Sequence, residues 1–219
     1  LKVKTGKPIV IYRETISHDY NGPPVMGKSP NKHSRCWVTL QRLDSQVIEA
    51  VKKNKVSELL SRDERRRVLT QEFGWDTDDA RNAVAIEDTH ILVNLIKGRQ
   101  YVEEVLDHIK SGFREAVHTS ILAKEPAYGL KVNIVDISVH EDPVHRGPAQ
   151  ILPMTWRPIW ACILLSNPIL LEPILNFECK VPEDFVSSVL AILQRRRGRI
   201  LDMPQEEDHI TVQAEMPVA

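Results

Sequence analysis

The sequence predicts an α/β protein in two parts, and three observations predict it. Short runs of alternating or continuous apolar residues mark strands near residues 8–16, 33–43, 83–87, 90–96 and 131–139. Val102, Val105, Leu106, Ile109, Phe113 and Ala116 recur at three-and-four spacing, which puts one apolar stripe along a helix. After residue 170 the rhythm restarts: a strand over 173–180, a helix from Pro182 with Val186, Val189, Leu190 and Leu193 on one face, then Ile210, Val212, Ala214 and Met216 in alternation. The expected division is therefore 1–170 and 171–219.

Within the second strand Cys36, Val38 and Leu40 alternate with Arg35, Trp37 and Thr39, which separates a core face from an outer face. The segment before it, Asn21-Gly22-Pro23-Pro24 and Gly27-Lys28-Ser29-Pro30-Asn31-Lys32, reads as a loop over 21–34 because its prolines and glycines favour turns. Asp44 or Ser45 caps a helix toward Lys53, and an arginine-rich helix is expected over 56–73, stopped by Gly74. A tight loop spans 140–148, and a helix over 149–166 follows, with Pro153 in its first turn and Pro158 bending it. The closing β-α-β unit is half of a ferredoxin-like fold, so a sheet edge and face stay uncovered and more chain is expected after Ala219.

Composition narrows the function classes. With 42% hydrophobic and 27% charged residues the chain has no disorder bias, and a net charge of -1 means that any RNA contact must come from local patches. Cys36, Cys162 and Cys179 lie far apart without C-x-x-C spacing, so they read as buried, inert thiols of a reducing cytoplasm, not a zinc cage. The longest wholly apolar run, 159–165, is far below the roughly 20 residues of a membrane span. Leu1-Lys2-Val3-Lys4 has no signal-peptide pattern, and a fragment of a longer chain is expected.

Four motifs carry possible chemistry. His140-Glu141-Asp142-Pro143-Val144-His145 is one residue too long for H-E-x-x-H, and Pro143 interrupts the helix that motif needs. A metal-assisted hydrolase using His140, Asp142 and His145 stays open beside the reading of a solvated polar turn. Thr5-Gly6-Lys7 lacks the preceding glycine and the Ser/Thr of a P-loop. The runs Arg62, Arg65, Arg66, Arg67 and Arg195, Arg196, Arg197, Arg199 read first as solvated helix faces. By contrast Lys28, Lys32, His33 and Arg35 lie in or beside one proline-and-glycine loop, and His145 with Arg146 lies in the other. If the two loops meet at one end, they form a compact positive tip suited to phosphate contact.

Tyr12-Arg13-Glu14-Thr15, Lys28-Ser29-Pro30-Asn31-Lys32-His33, Gly74-Trp75-Asp76, Val132-Asn133-Ile134-Val135-Asp136 and His145-Arg146-Gly147 resemble, in order, segments of the translation elongation factor two family. The likeness continues through Leu171-Glu172-Pro173 and Arg197-Gly198-Arg199, and the Pro148-Ala149 pair looks archaeal. The resemblance implies that 1–170 is domain four, a ribosomal-protein-S5-like (S5 domain 2-like) α/β fold with tip loops 21–34 and 140–148. It implies that 171–219 is part of domain five, a partial ferredoxin-like β-α-β unit. It further implies a partner, the ribosome, with the tip at the small-subunit decoding site against ribosomal RNA and the tRNA-mRNA duplex. Lys28, Asn31, Lys32, His33, Arg35, His140 and Arg146 would be the contacting residues. His145 would be the residue converted to diphthamide by the diphthamide-synthesis enzymes and attacked by ADP-ribosylating toxins. GTP and magnesium would belong to a GTPase domain outside this chain, with no catalytic residue here. The segments 83–88 and 118–123 and Pro143 depart from the family pattern.

Overall fold

The alternation read around Cys36 is realised as one strand with two fates. Cys36, Val38 and Leu40 are 1% or less exposed, while Arg35, Trp37 and Thr39 between them are only half-buried. The computed structural model describes residues 10–206 and 208–218. Pro8 and Ile9 of the expected first strand and the Thr5-Gly6-Lys7 motif lie outside the described residues. The chain divides into two units, one of Arg13–Leu170 and one of Leu171–Ala219 with the residues up to Tyr12.

The larger unit runs β1 (Arg13–Ile16), β2 (Val25–Lys28), β3 (Arg35–Arg42), α1 (Ser45–Lys52), α2 (Arg62–Phe73), α3 (Thr77–Arg81), β4 (Ala83–Glu87), β5 (His90–Asn94), α4 (Val102–His118), β6 (Leu130–Ser138), α5 (Pro148–Leu165) and β7 (Pro168–Leu171). β1 pairs with β7, and a five-stranded sheet has the order β2-β3-β6-β5-β4. Its pairs are antiparallel except β5 with β6, which α4 joins as a parallel crossover. The stripe expected on α4 is buried at Val102, Val105, Ile109, Phe113 and Ala116. It packs with Ile151, Met154, Ile159 and Ile163 of α5 over one sheet face. At their crossing, a Cβ on Gly112 would meet Thr155 Cβ at 2.8 Å, so a larger residue would push the two helices apart. The second core lies on the other face, where Val47, Val51, Leu69 and Ala80 from α1, α2 and α3 cover Ile91 and Val93 of β5.

α5 continues through Pro153 and Pro158. Pro158 has no N–H to give the carbonyl four residues earlier. That carbonyl, Met154 O, accepts instead from the Cys36 thiol at 2.9 Å. β2 presses against the same spot: a Cβ on Gly27 would meet Met154 O at 2.0 Å and Pro158 Cδ at 2.6 Å. Burial pushes the Cys36 and Cys162 thiols up to about 12, so neither is a thiolate at neutral pH. Cys179 departs from the expectation in being only half-buried.

Several elements differ from those read in the sequence. β2 lies inside the expected 21–34 loop, because Gly27 and Lys28 pair with Cys36 and Arg35 despite their turn-prone neighbours. α2 starts at Arg62 and not near Val56, since Ser61 and Glu64 form a capping box there. Asp76 caps the short α3, which has too few residues to display a period. Buried Glu14 accepts from the amides of Leu122, Ala123 and Glu125 at 2.7–3.0 Å, which orders the segment after α4 that departs from the family pattern.

The smaller unit runs β8 (Ile174–Val181), α6 (Glu183–Arg195), β9 (Arg199–Asp202) and β10 (Ile210–Pro217). The expected β-α-β unit thus gains a third strand, in the order β8-β10-β9 with antiparallel pairs. Leu193 of α6 packs on Val212 and Ala214 of β10. Among the described residues, Ile174, Leu175, Phe185 and Leu201 of this unit are more than half exposed.

Two outcomes follow from the packing. Gly27→Ala is expected to lower stability by about 1–3 kcal/mol through overpacking against α5, as read by denaturant melts followed by circular dichroism. Buried His90 accepts from Leu130 N–H at 3.1 Å, and burial pushes its pKa from 6.5 to about 4. The unfolded chain binds a proton that the folded one refuses, so this contribution is complete above pH 6.5 and is lost as pH falls toward 4. Stability at pH 5 is expected to be about 2 kcal/mol below that at pH 7 from this group alone, a difference that a His90→Gln variant should not show.

Candidate nucleic-acid interface

The β2–β3 turn and the loop before α5 meet because both emerge from the same packed layer. The turn is built by its own polar residues. Ser29 N–H donates to Ser34 O at 2.9 Å, Ser34 N–H donates to Ser29 Oγ at 2.9 Å, and Ser29 Oγ donates to Asn31 Oδ1 at 2.6 Å. Lys32 sits at φ 66°, a left-handed conformation that a lysine adopts at some cost and that turns its side chain outward into solvent. In the second loop Asp142 Oδ1 accepts from Val144 N–H at 3.0 Å and caps a 3-10 turn over Pro143–Arg146. Pro143 supplies a fixed φ for the first position of that turn.

Three hydrogen bonds join the loops. Asn31 N–H donates to Gln150 Oε1 at 2.9 Å, Asn31 Nδ2 donates to His145 O at 3.4 Å, and His140 N–H donates to Ser34 Oγ at 3.3 Å. Across this seam the rings of His33, His140 and His145 cluster, with centroids 4.7–5.0 Å apart. His33 is exposed, and His140 and His145 are half-buried. His140 Nδ1 accepts from Asp142 N–H at 3.1 Å, so a neutral ring there carries its proton on Nε2. Beside the cluster a groove of about 590 Å³ is lined by His33, Arg99, Tyr101, Ser138, His140 and Glu141.

Lys28, Lys32 and Arg35 project from the hairpin, and no ion pair among the described residues involves them. Arg146 requires a correction. Expected at the exposed tip, it is 6% exposed, pairs with Glu104 Oε2 at 3.1 Å and stacks on the Tyr101 ring at 4.4 Å. Its guanidinium fastens the second loop to the start of α4 and is buried there. Tyr101, at φ 62°, and Glu104 are the residues that sequence reasoning missed. An arginine inside a turn gives no sign of which acid or ring it will reach across the fold.

The other candidates disperse. Asp142 spends one carboxylate oxygen on its own turn, and among the described residues no three His, Cys, Asp or Glu groups are placed to hold a metal ion. The ligand set of the metal-assisted hydrolase is therefore not assembled. Arg62 donates to Arg81 O and Asn82, and Arg65 is buried, so half of the first arginine run serves the fold. In the second run Arg197 and Arg199 pair with Glu172 and Glu215.

Comparison with known proteins places this geometry in a family. The family described as "Elongation factor G, domain IV" matches residues 55–167, and "Elongation factor G C-terminus" matches 169–219. The chain belongs to the elongation factor G family. Elongation factor 2 of Pyrobaculum arsenaticum is 41% identical over 213 residues, covering 96% of this chain and 28% of that protein. Elongation factor 2 of Archaeoglobus fulgidus is 41% identical over 218 residues, covering 100% of this chain and 30% of that protein. The chain thus spans less than a third of the curated relatives it matches. A crystal structure from Thermus thermophilus superposes with a TM-score of 0.65 at 23% identity, covering 97% of this chain and 26% of that one, which is agreement of fold. Among the described residues no helix is long and apolar enough to cross a membrane.

The corrected role of Arg146 has a measurable consequence. Arg146→Ala is expected to cost about 1–3 kcal/mol in denaturant melts, because it removes a buried guanidinium with its ring contact and its pairing to Glu104, whereas exposed Lys32→Ala should stay within about 0.5 kcal/mol of the parent. Equal effects of the two substitutions would contradict the inward placement of Arg146.

Proposed function

We propose that this chain is the ribosome-facing part of an elongation factor two, and that its joined loops enter the decoding site during translocation of tRNA and mRNA. Residues 1–170 correspond in this reading to domain four, an S5 domain 2-like fold, and 171–219 to part of domain five. The observation that carries it is the seam between the β2–β3 turn and the 140–148 loop, together with family membership. A rigid seam leaves little conformational entropy to lose on docking, so contact energy is available for binding. Lys28, Lys32 and Arg35 supply phosphate contacts, while Asn31, His33 and His140 face bases and sugars.

In the same reading His145 is the residue converted to diphthamide. Its main chain is tied through Asn31, and its half-buried ring lies beside those of His33 and His140, so the loop stays fixed around the residue to be modified. The diphthamide-synthesis enzymes and toxins that ADP-ribosylate the product would then be transient partners. GTP binding and hydrolysis would reside in a domain outside this chain, so the chain acts as a positional wedge within a cytoplasmic factor. That other domain supplies the energy, and these loops convert it into direction.

Two measurements test the proposal. In the full-length factor Lys32→Ala is expected to slow ribosome-dependent translocation on the order of tenfold, equivalent to about 1.4 kcal/mol, with GTP binding unchanged. Unaltered translocation would count against the tip reading. Intact-mass analysis of protein from its native source should find the diphthamide mass on the peptide carrying His145, and an unmodified histidine there would remove that part of the proposal.

A further inference from the structure

The β2–β3 part of the outer sheet face is not accounted for by the tip. Register places Met26, Trp37 and Asp136 side by side, and Lys28 opposite Arg35, on the face away from α4 and α5. The same face is covered over β5 by α1, α2 and α3, whose core includes Ile91 and Val93. Among the described residues, neither core extends over this face of β2 and β3. Trp75, Trp156 and Trp160 each pack against a core, whereas among the described residues half-buried Trp37 belongs to neither, and its neighbour Met26 is 46% exposed.

The charges bordering this patch are unequal. Asp136 is neutralised by Arg99 through two hydrogen bonds of 2.8 and 2.7 Å, and Lys131 is paired with Asp79. Lys28 and Arg35 are the cations of the patch outside the ion pairs found among the described residues. A flat aromatic ring and a thioether on a pleated surface, edged by excess positive charge, match the two parts of a nucleotide: an apolar base face and an anionic phosphate. The patch is also continuous with the turn that carries Lys32 and His33, since β2 and β3 are the two arms of that hairpin.

We infer that the RNA-binding surface extends from the tip onto this sheet face, where Trp37 stacks an unpaired base of a single strand whose phosphates Lys28 and Arg35 hold. It rests on the tip reading for the identity of the partner as RNA and shares Lys28 and Arg35 with it, whereas Trp37 and Met26 belong to the sheet face alone. Met26 widens the apolar platform, and Arg99 keeps Asp136 from repelling the backbone. An acidic peptide would use the same cations but would gain little from a planar ring.

The test is binding of a fluorescein-labelled single-stranded oligoribonucleotide, about 12 nucleotides long to fill one single-strand site, to the full 219-residue chain, followed by anisotropy across a salt series. Trp37→Ala is expected to weaken binding roughly five- to a hundredfold, from the loss of one stacked base, with Trp37→Phe recovering most of it. Lys28→Ala with Arg35→Ala should lower the slope of log K against log salt by about 1.4, for two phosphates released from a single strand. Circular dichroism melts identify any variant that fails to fold, and ultraviolet crosslinking of a 4-thiouridine oligonucleotide to the unmutated chain reads the contact without substitution. Crosslinks at Trp37 or Met26 support the inference. Unchanged affinity in folded Trp37→Ala alongside loss in Lys32→Ala would overturn the platform and leave the tip reading standing. Absence of RNA binding, or tighter binding of a poly-glutamate peptide than of RNA, would overturn the platform as well, while the translocation assay judges the tip separately.

Discussion

The seat of α5 on the β2–β3 hairpin is the constraint from which the rest follows. Pro158 leaves Met154 O without its helical donor, the Cys36 thiol of β3 supplies one, and Gly27 of β2 lets the hairpin approach the same carbonyl. A helix interrupted in this way would ordinarily lose stability, but here the gap is filled by the strand it packs on. Because the loop over 140–148 leads into α5 and the 29–34 turn caps the hairpin, this one contact brings both loops to the same end of the larger unit.

The seam between the loops is polar where the layer beneath it is apolar. Asn31 uses its backbone N–H and its side chain on the opposite loop, and Ser34 receives an amide from it. Beneath, Arg146 is held by Glu104 and Tyr101, so its positive charge anchors the loop instead of extending it. The outward charge comes from Lys28, Lys32 and Arg35, all on the hairpin. One loop therefore carries the cations and the other is shaped to hold a histidine beside them. This division gives a near-neutral chain a local concentration of positive charge on one hairpin.

What the sequence by itself determined was periodic or chemical in kind. The stripe on α4, the alternation at Cys36, Val38 and Leu40, and the restart of rhythm after residue 170 are repeated signals, and repetition survives ignorance of the partner. The family segments around Asn31-Lys32-His33 and His145-Arg146-Gly147 were legible for a similar reason, since ordered matches along a chain reinforce one another. β2 and α3, at four and five residues, are too short to repeat anything, and the capping box of Ser61 and Glu64 moved the start of α2.

Only the tertiary structure decided which polar residues face outward. Arg146 and Lys32 look equivalent as letters in proline-and-glycine loops, yet one is buried against Tyr101 and Glu104 and the other is solvated. The same holds for Asp142, whose carboxylate closes a turn, and for Trp37, which among the described residues belongs to neither core. Direction of a side chain depends on partners far away in sequence, as Arg146 depends on Glu104 and Asn31 on Gln150, 119 residues along the chain. Local pattern fixes which face of an element is apolar, but long-range packing chooses what covers it.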